Sequence, residues 1–280
     1  MAASLGMHSI LIEADQVGTK LLAVAALENV VGGWRAGPEL ARAMGADIDR
    51  ITAAGRCTLL RGRAVRVRGC GDRAEVRLDD GLTLTAAVVI VATGVGPVDP
   101  ADTGWITAAD GLALPPLWRA RPEQLRGPVH VLGADRPLGT WLRAHPDARR
   151  PLTVLHPASD AYKAAEVADD DRVRLVQVRS LAVKETPSDG WQVDAELADG
   201  STRSFIAATL LGNLGSTPAA IDGLNQGPDG YCPPELQHPR VLVAGDLRSS
   251  RCQRIITAQG SGAEAALQRY YEVAGVINGR

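Results

Sequence analysis

The sequence predicts an α/β fold made of two three-layer domains, and three observations carry that expectation. The chain has 280 residues, enough for two domains of ordinary size that each bury a core of their own. Two continuous apolar runs, Ala87–Ala92 (AVVIVA) and Val241–Ala244 (VLVA), have the character of strands covered on both faces, and each ends at a glycine turn. Helical stretches with small or one-sided apolar residues alternate with such runs, at Gly37–Ala53 and Gly260–Leu267.

Composition narrows the function classes. Apolar residues make up 45% of the chain and charged residues 22%, the balance of a soluble globular protein. A formal net charge of −2 gives no electrostatic case for nucleic acid or for an anionic membrane. Lysine occurs only at Lys20, Lys163 and Lys184, and the excess of arginine reads as coding bias rather than as a binding stripe. No run has the length of a membrane span and no basic-then-apolar leader is present, so the expected location is cytoplasmic. Cys57, Cys70, Cys232 and Cys252 form no C-x-x-C, and the five histidines show no ligand spacing. Neither a metal site nor a local dithiol is expected.

In chain order, Met1–Gly6 reads as the end of a helix and His8–Glu13 (HSILIE) as a short strand closing on an acid. Gly37-Pro38-Glu39 opens a helix to about Ala53, with Leu40, Met44, Ile48 and Ile51 on one face. Short alternating segments at 57–60, 64–68, 74–78 and 82–86, divided by glycine turns, read as a β-meander. The apolar strand to Ala92 then ends in Thr93-Gly94, and a proline-rich stretch over 97–122 crosses to a second domain. That domain starts with a strand at Pro128–Ala134. Further strands follow at 152–156 and 172–178, a hairpin-like pair spans 181–197, and a last strand lies at 207–211. Trp191 reads as packing. The chain returns at Val241, and the strand there ends in Gly245-Asp246, a carboxylate where α/β folds hold a ribose or ribityl hydroxyl.

The stretch VLVAGDLRSSRCQRIITAQGSGAEAAL, 241–267, resembles the carboxyl-terminal flavin segment of the thioredoxin reductase-like family of FAD-dependent disulfide oxidoreductases. In that family the Gly-Asp pair binds the ribityl chain, and an Arg-Gln-Ala-type tripeptide opens the last helix against the flavin. Gln253-Arg254-Ile255 stands at the tripeptide's place. The V-I-V-A-T-G ending at Gly94 is a second point of similarity. Gly18, Leu21, Glu28 and Asn29 fit a Gly-Gly-Gln-Leu turn and a Glu-Asn pair that border the flavin, whereas Thr19 and Lys20 depart from it. A lysine there could stabilise charge on a reduced ring or simply face solvent. The resemblance implies two Rossmann-like domains. A flavin-type domain at 1–117 and 214–280 is interrupted by a smaller nucleotide-binding-like domain at 118–213. The implied cofactor-binding residues are Glu13, Gly18, Lys20, Asn29, Thr93, Gly94, Gly245, Asp246, Gln253, Arg254 and Ile255. Glu13 corresponds to an acid on the adenosine ribose. No catalytic residue is assigned.

Three departures shape the expected function. The family has a first strand and a G-x-G-x-x-G turn ahead of the strand that ends here at Glu13, and nothing of that kind precedes His8. That turn supplies amides for the FAD pyrophosphate, and its strand is central in the sheet, so two neighbours are expected to be left unpaired. The expected explanation is either a start placed too late or a shortened, FAD-free protein. The dithiol, which precedes an Asp-Gly, falls on Ile106 and Ala109 if Asp110-Gly111 is that pair, so electron transfer to a disulfide by the family route is excluded. At the nicotinamide-cofactor turn stands Gly133-Ala134-Asp135-Arg136-Pro137-Leu138, where Asp135 opposes phosphate, and Pro157-Ala158 replace an arginine pair. NADPH binding is not expected. The expectation is a divergent flavin-dependent oxidoreductase with no dithiol of its own, partnered by a second copy or by an electron-transfer protein. The alternative is a flavin-free scaffold or regulatory partner. Cys252 reads either as a redox thiol or as a packed small residue.

Overall fold

A computed structural model describes residues 1–273 except 25, 28, 29, 110, 111, 188 and 189. The chain forms two compact units, Met1–Gly96 with Thr217–Arg280, and Pro97–Ser216. The second unit starts at Pro97, so it takes in the described residues of 97–117 that the sequence reading placed in the first domain. No helix among the described residues is long and apolar enough to cross a membrane.

The first unit begins with a 3-10 turn, Ala2–Leu5, closed by Gly6 at φ 72°. Strand β1 (Ser9–Glu13) follows, then helix α1 (Gly37–Ala53). Pro38 and Glu39 suit the first turn of α1 and Arg50 the last, by backbone preorganisation and by dipole. The helix buries Leu40 and Ala41. A Cβ at Gly37 would lie 1.9 Å from the Leu21 carbonyl oxygen, so the helix start packs on the preceding turn only as glycine.

Strand β2 (Cys57–Arg61) pairs in parallel with β1, in register Ser9↔Cys57 to Glu13↔Arg61. This corrects the expectation that 57–60 belongs to the meander. A short half-exposed strand alternates in the same way in either sheet, so its partner cannot be read from period alone. The meander consists of β3 (Ala64–Cys70), β4 (Arg73–Leu78) and β5 (Thr83–Ala86), all antiparallel.

Strand β6 (Val89–Val91) is parallel to the later β16 (Val241–Val243). Among the described residues the parallel sheet of this unit is thus in two pieces, β1–β2 and β16–β6, with no ladder between them. Both pieces border one apolar cluster, formed around Val67, Leu78, Val91, Val241, Val243 and Leu247 with Ile12, Leu60 and Val89 against it. Ile10 on β1 and Ile90 on β6 are 53% and 37% exposed, as suits strands with one unpaired edge. Helix α4 (Ile255–Val273) ends the unit and begins five residues earlier than the sequence suggested, because Thr257 caps its first turn.

Strands β7 (Val95–Pro97) and β15 (Ser216–Pro218) lie on the two crossings. In the second unit β8 (Ile106–Thr107), β9 (Val129–Leu132), β10 (Leu152–His156), β11 (Val173–Glu185), β12 (Trp191–Leu197), β13 (Thr202–Ala207) and β14 (Thr209–Gly212) make one mixed sheet. Its order is β13-β12-β11-β10-β9-β14, with β8 also on β11. The centre is parallel and dry: all four residues of β9 are buried. Helix α2 (Pro137–Ala144) lays Leu138, Trp141 and Leu142 on it, and Trp141 Nε1 donates to the Ala120 carbonyl at 2.8 Å. Each such fully buried side chain stabilises by about 1.5–3 kcal/mol over its exposed state. The strand expected at 172–178 and the first arm of the hairpin are one strand, β11, kept continuous by an irregularity between Val178 and Ser180. Strand β13, absent from the sequence reading, is mostly exposed and so carries little apolar signal.

Candidate functional site

Where β16 ends, the chain turns at Gly245, whose φ of 72° only glycine adopts without strain. The Gly245 amide donates to Ser261 Oγ at 2.8 Å, and that hydroxyl donates to the Ala258 carbonyl at 3.0 Å. The small residues of α4 are thus what let it lie against this turn. Arg248 ties the loop to Glu264 at 2.8 Å.

Gln253 organises the rest of the loop. Its Nε2 donates to Tyr231 OH at 3.1 Å, to the Ser249 carbonyl at 3.0 Å and to the Asp246 carbonyl at 3.3 Å. Arg254 donates from its backbone amide to Thr257 Oγ1 at 3.1 Å, and Ile255 is the first residue of α4. Cys252 is exposed and holds φ 60°, the only positive value on a non-glycine residue among those described. It is therefore not packed.

Asp246 is half-buried, and among the described residues no donor hydrogen-bonds its carboxylate. Burial raises its pKa above the ordinary carboxylate value, while the charges of Lys20 and Arg254 pull it back. Lys20 is exposed as a whole, yet its ammonium donates to the Val95 carbonyl in a partly buried contact. Burial lowers the Lys20 pKa against the opposing pull of Asp246. The ammonium also stands 3.6 Å from where a Cβ at Gly94 would be. Gly94 has φ 68°, and its carbonyl accepts from the Ala219 amide at 2.9 Å while Thr93 Oγ1 donates to the Ala219 carbonyl at 2.6 Å.

The structure therefore brings Lys20, Gly94, Asp246 and Arg254 into one cluster, which Gln253 supports from behind. Thr93 shapes the Gly94 turn rather than pointing at that cluster. Glu13 stands apart: its carboxylate accepts from the Asp15 amide at 3.0 Å. Gly18 has φ 78°, and a Cβ there would sit 2.9 Å from Ala41 Cβ, so packing against α1 explains the glycine. Asn29 lies outside the described residues, as do Glu28, Asp110 and Gly111. The sequence reading missed Tyr231 and Ser261 as supports. Only the small-residue run of α4 hinted at the second, and nothing local marked the first.

These residues fit one end of a flavin dinucleotide. A carboxylate without a donor, beside two cations and a glycine turn, suits a polyol hydroxyl and an electron-rich ring.

The turn after β9 in the second unit is arranged differently. The turn after β9 has Gly133 at φ 89°, but the Ala134 amide already donates to Asp160 Oδ2 at 3.2 Å. The Asp135 amide donates to the Asn213 carbonyl at 3.2 Å and the Leu138 amide to the Asp135 carbonyl at 3.0 Å. Position 137 is proline and has no amide to offer. The Asp135 carboxylate, expected to repel phosphate, is paired with Lys163 at 2.9 Å.

No protein-family model matches the chain, and no curated protein matches it. Solved structures do. Thioredoxin reductase from Lactococcus lactis superposes with a TM-score of 0.74 at 18% identity, over 97% of this chain and 92% of that one. The fold is that of a thioredoxin reductase. The enzyme from T. acidophilum gives a TM-score of 0.69 at 17% identity, over 98% of this chain and 93% of that one. The one from Streptococcus pyogenes MGAS5005 gives 0.51 at 17% identity, over 95% and 98%. The thioredoxin reductase-like fold, with its two Rossmann-like domains, agrees with the expectation drawn from 241–267 and from the V-I-V-A-T-G strand ending. At these identities the likeness establishes the fold alone.

Proposed function

We propose that this chain is a divergent flavin-dependent oxidoreductase that has no redox dithiol of its own and takes its electrons from a donor other than NADPH seated in the second unit. One observation carries the reading: Asp246, half-buried and flanked by Lys20 and Arg254, offers a carboxylate that no donor among the described residues satisfies. A buried acceptor left open costs stability, and a ligand hydroxyl would remove that cost. Asp246 would hold the ribityl chain of FAD. Gly94 would give close approach, and Gln253-Arg254-Ile255 would border the ring. Bound flavin supplies reversible acceptance of a hydride or of single electrons. Lys20 would place positive charge where the reduced ring gains negative charge. The reading includes a cytoplasmic location and, as partner, a second copy of the chain or a protein that exchanges electrons with it. It involves neither nucleic acid nor membrane.

A second reading, a flavin-free scaffold or regulatory partner, is favoured by the Lys20 ammonium itself. It already has a protein acceptor in the Val95 carbonyl and lies beside the Gly94 turn, a contact that needs no ligand. The test is direct. Under the first reading the purified protein is yellow or binds added FAD, Asp246→Ala releases the flavin while the protein stays folded, and NADPH does not bleach it. A colourless protein that ignores FAD supports the second reading. Saturable NADPH oxidation with a Michaelis constant of about 1–10 μM, at the low end of the usual range, would defeat the claim about the donor.

A further inference from the structure

The side chains around Gly133–Leu138 form a connected ion cluster. Lys163 Nζ, from the helical turn α3 (Ala161–Ala164), reaches Asp135 Oδ1 at 2.9 Å and Asp160 Oδ1 at 3.2 Å. The other oxygen of Asp160 accepts from the Ala134 amide at 3.2 Å. The three side chains are only 15–22% exposed, against 55–59% for the neighbouring Arg136–Glu166 pair. From the opposite side, buried Asn213 donates through Nδ2 to the Asp135 carbonyl at 2.8 Å and to the Gly133 carbonyl at 3.4 Å. A Cβ at Gly133 would lie 2.4 Å from the Asn213 carbonyl oxygen, so the two segments are locked together.

Such a turn normally has free amides facing an open space, and an anion enters to satisfy them. Here the anion is already present and covalently attached. The Asp160 carboxylate accepts from the turn amide, and Lys163 provides the cation that an external phosphate would otherwise need. Asp135 shares that cation, which leaves the cluster with one net negative charge. Burial works against the Lys163 ammonium, but its hydrogen bonds and charge contacts with Asp135 and Asp160 outweigh this and hold its pKa above the ordinary value. The lysine therefore stays charged and engaged throughout the neutral range.

We propose that the second unit is a self-satisfied anion site: the Asp160 carboxylate stands in the place of a dinucleotide phosphate, Lys163 clamps it together with Asp135, and the unit rejects external phosphates for as long as that cluster is intact. This concerns the second unit alone and does not depend on whether the first unit holds flavin. The site is latent rather than absent. Its two engaged donors, the Ala134 amide and the Lys163 ammonium, are released when the internal carboxylates are removed. The ligand class such a change admits is a pyrophosphate, free or within a nicotinamide dinucleotide.

The experiment is a titration of the full-length protein with inorganic pyrophosphate by calorimetry and with NADPH by fluorescence, repeated on flavin-free and flavin-loaded samples. Wild type is expected to show no saturable binding of either probe up to about 1 mM, the weak end of the affinity scale. The variant Asp135→Ser/Asp160→Ser, with Lys163 retained, is expected to bind pyrophosphate at least tenfold more tightly than wild type. Adding Lys163→Met is expected to erase the gain. Wild-type binding of NADPH with Kd below about 100 μM overturns the proposal. So does a double variant that is folded by circular dichroism and binds no better than wild type. If the double variant does not fold, Asp160→Asn keeps the shape and removes one charge. A gain of at least threefold from it supports the proposal, and a smaller one refutes it. Loss of flavin would alter none of these readings.

Discussion

The substitution Asp246→Asn separates a residue kept for a ligand from one kept for the fold. The Asp246 carboxylate is half-buried, and among the described residues it has no hydrogen-bond donor, so its ionised form loses hydration without full return. Lys20 and Arg254 return part of that loss through charge. An unsatisfied buried polar group costs about 1–3 kcal/mol, and discounting for half exposure and for the two cations leaves about 1 kcal/mol. The neutral amide should therefore stabilise the flavin-free protein by about that amount, which raises Tm by about 2–4 °C for a domain of this size. The pH dependence has a fixed sign. A carboxylate whose folded pKa is raised loses relative stability as pH climbs from its ordinary value through the folded one. The variant's advantage should accordingly vanish in acid, where Asp246 is protonated, and reach its plateau above the raised pKa. Calorimetric scans of flavin-free wild type and variant across that range provide the assay. A Tm that falls by several degrees at neutral pH would show that Asp246 serves as an ion-pair partner of Lys20, and the argument for an open acceptor would be refuted.

Other expected outcomes follow from the same geometry. Lys20, whose folded pKa lies below its ordinary 10.5, makes wild-type stability rise with pH as the folded group deprotonates before the unfolded one, and Lys20→Met should flatten that alkaline rise in thermal scans. His130 is 5% exposed, its Nδ1 has no hydrogen-bond partner among the described residues, and burial, assisted by the charge of Arg174, lowers its pKa. The protein should lose stability as pH falls from about 6.5 toward that lowered value, and His130→Leu should abolish the loss; an unchanged acid limb would contradict the assignment. Arg172 holds the carbonyls of Leu142 and His145 and the Asp170 carboxylate at 2.6–3.2 Å, so Arg172→Ala should cost about 2–4 kcal/mol in denaturant unfolding. Amide exchange should be slow along β9 and β10, and much faster along β1 and β6, each of which has an edge without a ladder partner among the described residues.

Apolar runs showed where the strands lie but not which strands pair. Ala87–Ala92 and Val241–Ala244 announced β6 and β16, because a strand buried on both faces needs no alternation. The pairing of Cys57–Arg61 with β1 stayed hidden, since a five-residue half-exposed strand has no partner-specific pattern. At the candidate site, Asp246 and Gln253 could be read from their place after a strand and before a helix. Lys20 could be named but not placed, because its contact with Val95 joins residues 75 positions apart. Gly18 has a reason of its own to be glycine, its positive φ and its closeness to Ala41, and a ligand-facing glycine gives the same letter. In the second unit Asp135 looked like a free repulsive charge, whereas Lys163, 28 residues on, is held with it in an ion pair that no local motif foretells.

The central claim is that the first unit holds a flavin through Asp246. The most direct measurement is the flavin-to-protein ratio of the full-length protein after incubation with excess FAD and gel filtration, taken in parallel for wild type and Asp246→Ala. The account predicts a ratio approaching one flavin per chain for wild type and a ratio near zero for the folded variant. A wild type that elutes without flavin, or a variant that keeps as much flavin as wild type, would contradict it.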